Sequence, residues 1–64
     1  MSRANPIARI RQERGMTQQQ CADRYGCRQP GWAALEVADL SRVSLGRLRK
    51  VAKVLACTVH DLTG

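Results

Sequence analysis

One pair of small residues constrains this chain more than any other feature. Ala22 is followed four residues later by Gly26, and Cys21, Tyr25, Cys27, Trp32 and Leu35 surround the pair. Such spacing is the sequence form of two helices meeting near a right angle across a tight turn. Ala22 has to be small because the second helix passes close over it. Gly26 takes a turn backbone that a side chain would strain. Trp32 and Leu35, three apart, pack the second helix back onto the first.

Caps and breakers divide the rest of the chain into further helices. Asn5-Pro6 reads as a helix start, with Asn as N-cap and Pro at the first helical position. Ile7 and Ile10 share one face, with Arg9, Arg11, Gln12, Glu13 and Arg14 on the others. Gly15 ends this helix as a left-handed cap, and Met16 folds back onto the apolar face. Thr17 with Gln20 forms a capping box that opens the next helix. A third helix starts near Arg28 or Gln29, because Pro30 is acceptable only in a first turn. Residues 37–43 read as a loop. Ser44 caps a fourth helix in which Leu45, Leu48, Val51, Ala52 and Leu55 follow the helical period, with Arg47, Arg49, Lys50 and Lys53 outside. Thr58 and Asp61 make a second capping box, and a short last helix runs through Leu62. No alternating pattern of useful length suggests a strand. The expectation is an all-α, five-helix single domain over residues 1–64.

Composition narrows the functions available. A chain of 64 residues buries only about 60 % of the surface its unfolded form exposes, which leaves little room for a catalytic cleft. Eleven Lys+Arg against five Asp+Glu give a formal charge of +6, which points to polyanionic partners. Apolar residues at 44 % argue against wholesale disorder. The aromatics are Tyr25 and Trp32, too few for base-stacking platforms, and the spacing of Trp32 from Cys27 and Leu35 makes it core. No apolar run exceeds four residues, and the start of the chain leads into a charged helix, not a signal segment. The expected location is cytoplasmic.

Cys21, Cys27 and Cys57 are odd in number and fit no zinc template, with His60 the one histidine available to help. They are expected as reduced thiols filling the core, with no metal and no cofactor. There is no Ser-His-Asp or Cys-His arrangement, phosphate loop or paired carboxylate site, so no enzyme is expected.

The residues Ile7, Ile10-Arg11, Gly15-Met16-Thr17-Gln18, Cys21-Ala22, Tyr25-Gly26-Cys27, Gln29-Pro30, Trp32 and Leu35-Glu36 keep one register. It continues through Val43-Ser44-Leu45, Leu48, Val51-Ala52, Val54-Leu55, Cys57-Thr58 and Asp61-Leu62. In that register the chain resembles the Cro and phage-repressor type of helix-turn-helix, also called the xenobiotic-response-element family. The resemblance covers residues 7–62. It implies a compact, lambda-repressor-like DNA-binding domain with an arm over residues 1–5 and the helix-turn-helix over 17–37. The second helix would cross the phosphate backbone and the third would enter the major groove.

Several site residues follow from the resemblance. Arg28, Gln29 and Ala33 would face bases, Gln29 as an adenine reader and Ala33 against a thymine methyl. Ala34 is a further outward position. Thr17 and Gln18 would meet a phosphate at the helix N-terminus, with Gln18 also buttressing Gln29. Ser41 and Arg42 would form a second phosphate clamp, and Arg3 would add a contact from the arm. Arg11 and Glu36 would pair between the first and third helices. Val59 and Leu62 would cap the core or form a weak two-fold contact between copies on DNA. With nothing to enlarge that interface before Gly64, the dimer is expected to be weak.

The chain also departs from the family pattern. Arg28 stands where a Ser or Thr cap is usual, and Ala38 and Ala56 replace glycines common at helix ends. Alanines at 33 and 34 make the recognition face thin. The implied function is a transcriptional regulator of the Cro-like repressor kind, binding double-stranded operator DNA with no small-molecule ligand. An antitoxin or protein-interaction module that kept the fold is the alternative, and the thin face favours it.

Overall fold

Residues 5–63 are described by the structure, a computed structural model. Five α-helices follow in order: α1 (Ile7–Glu13), α2 (Gln18–Tyr25), α3 (Gln29–Val37), α4 (Leu45–Leu55) and α5 (Val59–Thr63). A single 3-10 turn, Leu40–Arg42, lies between α3 and α4, inside the segment expected as a loop. No strand occurs among the described residues.

The core forms around Trp32, which is fully buried with Ile7 from α1, Cys21 from α2, and Val51 and Leu55 from α4. Tyr25 meets Trp32 edge-to-face, ring centroids 5.9 Å apart, a geometry the ring quadrupoles favour. α2 packs on both α3 and α4, and α5 closes the far side against α4 and the 3-10 turn. Leu62 lies in this core at 3 % exposure, and Val59 is half-buried against it. Leu62 therefore caps the core, the first of the two roles open to it.

Leu45 departs from the helical stripe expected of α4: it is 53 % exposed. As the first helical residue it lies at the uncovered end of the stripe, which begins at Leu48. Val54 joins the core.

The helix ends show how local chemistry and distant partners share the work. α1 starts one residue later than expected: Pro6 is the N-cap, with no side-chain cap of its own, and Asn5, one residue before it, accepts the Ile7 N–H on Oδ1 at 3.1 Å. The Asn5 Nδ2 also donates to the carbonyls of Leu35 and Ala38 at 2.7 and 2.8 Å, satisfying the end of α3. Ala38 is therefore extended, φ −74° and ψ 153°, and carries none of the left-handed strain that replacing a glycine there would bring. Ala56 does carry it, at φ 53°. Arg14 donates Nε to the Leu55 carbonyl at 3.1 Å and Nη2 to that of Ala56 at 3.4 Å, placing a cation on the negative end of α4.

Candidate nucleic-acid interface

The α2–α3 unit is built from short-range signals. Thr17 and Gln20 exchange both bonds of a capping box, Gln20 N–H to Thr17 Oγ1 and Thr17 N–H to Gln20 Oε1. Gly26 is left-handed at φ 91°, and the Gly26 and Cys27 N–H groups both reach the Ala22 carbonyl, at 2.8 and 2.9 Å. The chain then enters α3 through Arg28, whose extended backbone carries no side-chain cap. Gln29, Pro30 and Gly31 precede Trp32, the first buried residue of the helix.

A polar chain runs through the base of this unit. Glu36 is 6 % exposed. Its carboxylate accepts from Arg11 Nε, from Gln18 Nε2 at 2.8 Å and from Trp32 Nε1 at 2.8 Å. Arg11 also donates Nη1 to the Met16 carbonyl at 2.9 Å, tying α1 to the turn before α2. Gln18 uses its other end to accept from Gln29 Nε2 at 2.6 Å. Burial pushes the Glu36 carboxyl up, but the hydrogen bonds from Arg11, Gln18 and Trp32 together outweigh it and hold it below the usual carboxylate range. Among the described residues no buried side-chain polar atom lacks a partner.

Residues 1–60 match a family model described as a helix-turn-helix domain. The chain belongs to that helix-turn-helix family. It falls in the Cro and xenobiotic-response-element group, and membership points to a DNA-binding regulator in a family that is typically non-enzymatic. Comparison with curated proteins and with solved structures finds no match. No described helix is long and apolar enough to cross a membrane.

Within the helix-turn-helix domain the remaining site residues are distributed unevenly. Arg28 is exposed and Gln29 half-buried at the start of α3. Of the two alanines, Ala34 is exposed and Ala33 half-buried. The capping box uses the N–H groups of Thr17 and Gln20, so the first turn of α2 keeps those of Gln18 and Gln19 beside the Thr17 hydroxyl. Ser41 and Arg42 lie together on the 3-10 turn, but both face Asp39. Ser41 donates Oγ and N–H to Asp39 Oδ1 at 2.7 and 3.0 Å, and Arg42 Nε sits 3.9 Å from its Oδ2. These Ser41 bonds hold the Asp39 carboxyl below its usual range. Arg3 lies outside the described residues.

Asp39, Asn5 and Arg14 were not singled out from the sequence as shaping this surface. Asp39 could have been read, since an aspartate two residues before a serine is an Asx-turn signal. The Trp32–Glu36 bond was legible too, as a pair four apart on one helix. Asn5 and Arg14 reach partners 30 to 42 residues away, and no local pattern marks such pairs. Burial pushes the Cys21 and Cys57 thiols up. No cluster of three metal-ligating side chains occurs among the described residues.

Proposed function

We propose that this helix-turn-helix domain is a sequence-specific regulator of transcription, a small Cro-like phage or prophage repressor working in the cytoplasm. It would occupy double-stranded operator DNA and exclude polymerase. The observation that carries this reading is the start of α3: Gln29 is held at the mouth of the recognition helix by Gln18, and Gln18 by a buried carboxylate. A base reader has to be held in one place to discriminate. In this reading Arg28, Gln29 and Ala33 meet base edges. Thr17, Gln18, Ser41 and Arg42 meet phosphates, as does Arg3 from the arm of residues 1–5. For Ser41 to reach a phosphate, its hydroxyl leaves Asp39.

A second copy would sit on the adjacent half-site, about 34 Å along the duplex. With Leu62 buried, Val59 supplies little to that contact, so pairing is weak and depends on DNA.

Two measurements test the reading. Affinity for duplex DNA should fall steeply with salt, as release of counterions from several phosphates requires; a flat response rejects it. Gln29→Ala should narrow the gap between operator and random DNA, whereas Arg42→Ala should weaken both about equally. The reverse pattern would remove α3 as the reader.

One observation favours the protein-interaction alternative. Val37, at the end of α3, is 79 % exposed, which gives the recognition helix an apolar tip beside its two alanines. A gel-shift series with the DNA flanking its own gene separates the two, and no shift at low salt would promote the antitoxin reading.

A further inference from the structure

We infer that the buried Glu36 carboxylate dictates which way round Gln29 presents its amide to a base, acting through Gln18. This rests on the DNA reading above and adds to it a chemical origin for base choice.

The argument needs only the donor and acceptor inventory. An ionised carboxylate accepts hydrogen bonds and donates none. Glu36 is encircled by donors: the Arg11 guanidinium, the Trp32 indole N–H and the Gln18 amide. Gln18 must therefore turn its NH2 group toward Glu36, at 2.8 Å. That leaves Gln18 Oε1 facing Gln29, and an acceptor in that place demands a donor. Gln29 answers with Nε2 at 2.6 Å. What remains to Gln29 is its whole Oε1 and one N–H. An acceptor beside a single donor is the complement of adenine, which offers N6–H and N7 in the major groove. The reversed amide would offer two donors and suit guanine O6 and N7 instead.

A free glutamine can flip its amide and read either purine. Here the flip would break two hydrogen bonds in sequence and set Gln18 oxygen against a carboxylate. The Arg11–Glu36 pair thus acts on specificity without touching DNA. Glu36 and Gln18 are positioning residues, and Gln29 is the group that meets the base.

The test inverts the polarity of the middle link. A random duplex library is selected with the full chain. Binding of the enriched duplex is then measured with each of the four base pairs at the position whose preference vanishes in Gln29→Ala. The native chain should prefer adenine there by roughly tenfold over guanine. Gln18→Met removes the link and should abolish most of that preference. Gln18→Lys presents donors only: its ammonium can satisfy Glu36 and draw Gln29 Oε1 inward, which turns the NH2 group out. Its preference should shift from adenine toward guanine. The added charge also attracts phosphate, but that strengthens all four duplexes by the same factor. Should Gln18→Lys strengthen all four equally with the adenine preference intact, the relay is overturned while the DNA reading stands. Retention of the preference in Gln18→Met, or a native preference for guanine, overturns it too. A native chain that enriches no sequence overturns the DNA reading itself, and the relay with it.

Discussion

Ala56 ends α4 at φ 53° and ψ 45°, where a Cβ crowds the following carbonyl. Ala56→Gly should raise stability by about 1 kcal/mol in urea denaturation; an unchanged midpoint would mean the turn relaxes the strain elsewhere. Glu36 works in the opposite sense. Glu36→Ala leaves a guanidinium with 14 % of its side chain exposed and an indole N–H without an acceptor, and should cost about 3–5 kcal/mol. Because its folded carboxyl titrates below the ordinary value, its contribution is fully present above about pH 4.3, the unfolded value. It is lost as pH falls through the lower, folded value. Denaturation at pH 7 and near pH 3 should therefore show a smaller difference in Glu36→Gln than in the native chain. Asp39 and Asp61, held low by hydrogen bonds from Ser41 and Thr58, titrate in the same direction and remain in both proteins.

α3 is poorly optimised at its start. Its N-cap is Arg28, with no side-chain bond to the first turn, and Gly31 sits inside it. Arg28→Ser should stabilise the domain by about 1 kcal/mol yet weaken DNA binding, since the cation is exposed at the α3 start. A variant that gains stability and keeps its affinity would take Arg28 out of the interface. A Cβ at Gly31 would meet only Cys27 Cβ and Sγ, at 3.6 Å, an ordinary contact, so Gly31→Ala should stabilise as well, by roughly 0.5–1 kcal/mol. Most of the five helices were legible because their signals are local: the two capping boxes, the left-handed glycines, the Ile7–Ile10 and Leu48–Leu55 stripes. Leu45 misled because periodicity marks a face but not how far along the helix its cover extends. The Arg11–Glu36 and Gln18–Gln29 links came only from the family resemblance. Asn5 was legible only as a local helix-start signal; its bonds to the end of α3, and those of Arg14 to the end of α4, join residues far apart in the chain and carried no signal.

At the scale of the molecule, the +6 charge is divided among different tasks. Arg11 is paired with Glu36, Arg14 caps α4, and Lys50 lies 4.5 Å over the Tyr25 ring. Arg42 shares its place with Asp39. The salt dependence of DNA binding should therefore report fewer phosphates than the net charge suggests, a log–log slope shallower than about −5. Asp39→Ser keeps a capping side chain and removes the competing carboxylate; it should raise affinity for all duplexes several-fold, and no gain would place the 3-10 turn away from the phosphates. Asn5 carries one more consequence, in the order of events on the ribosome. It is made about thirty residues before the helix end it closes. The closing side chain is thus already made when the end of α3 emerges, and the last carbonyls of α3 are satisfied as the α1 end docks against them. Amide exchange in α1 and α3 should accordingly open as one unit, and an N-terminal fusion that pulls on Asn5 should loosen the far end of α3.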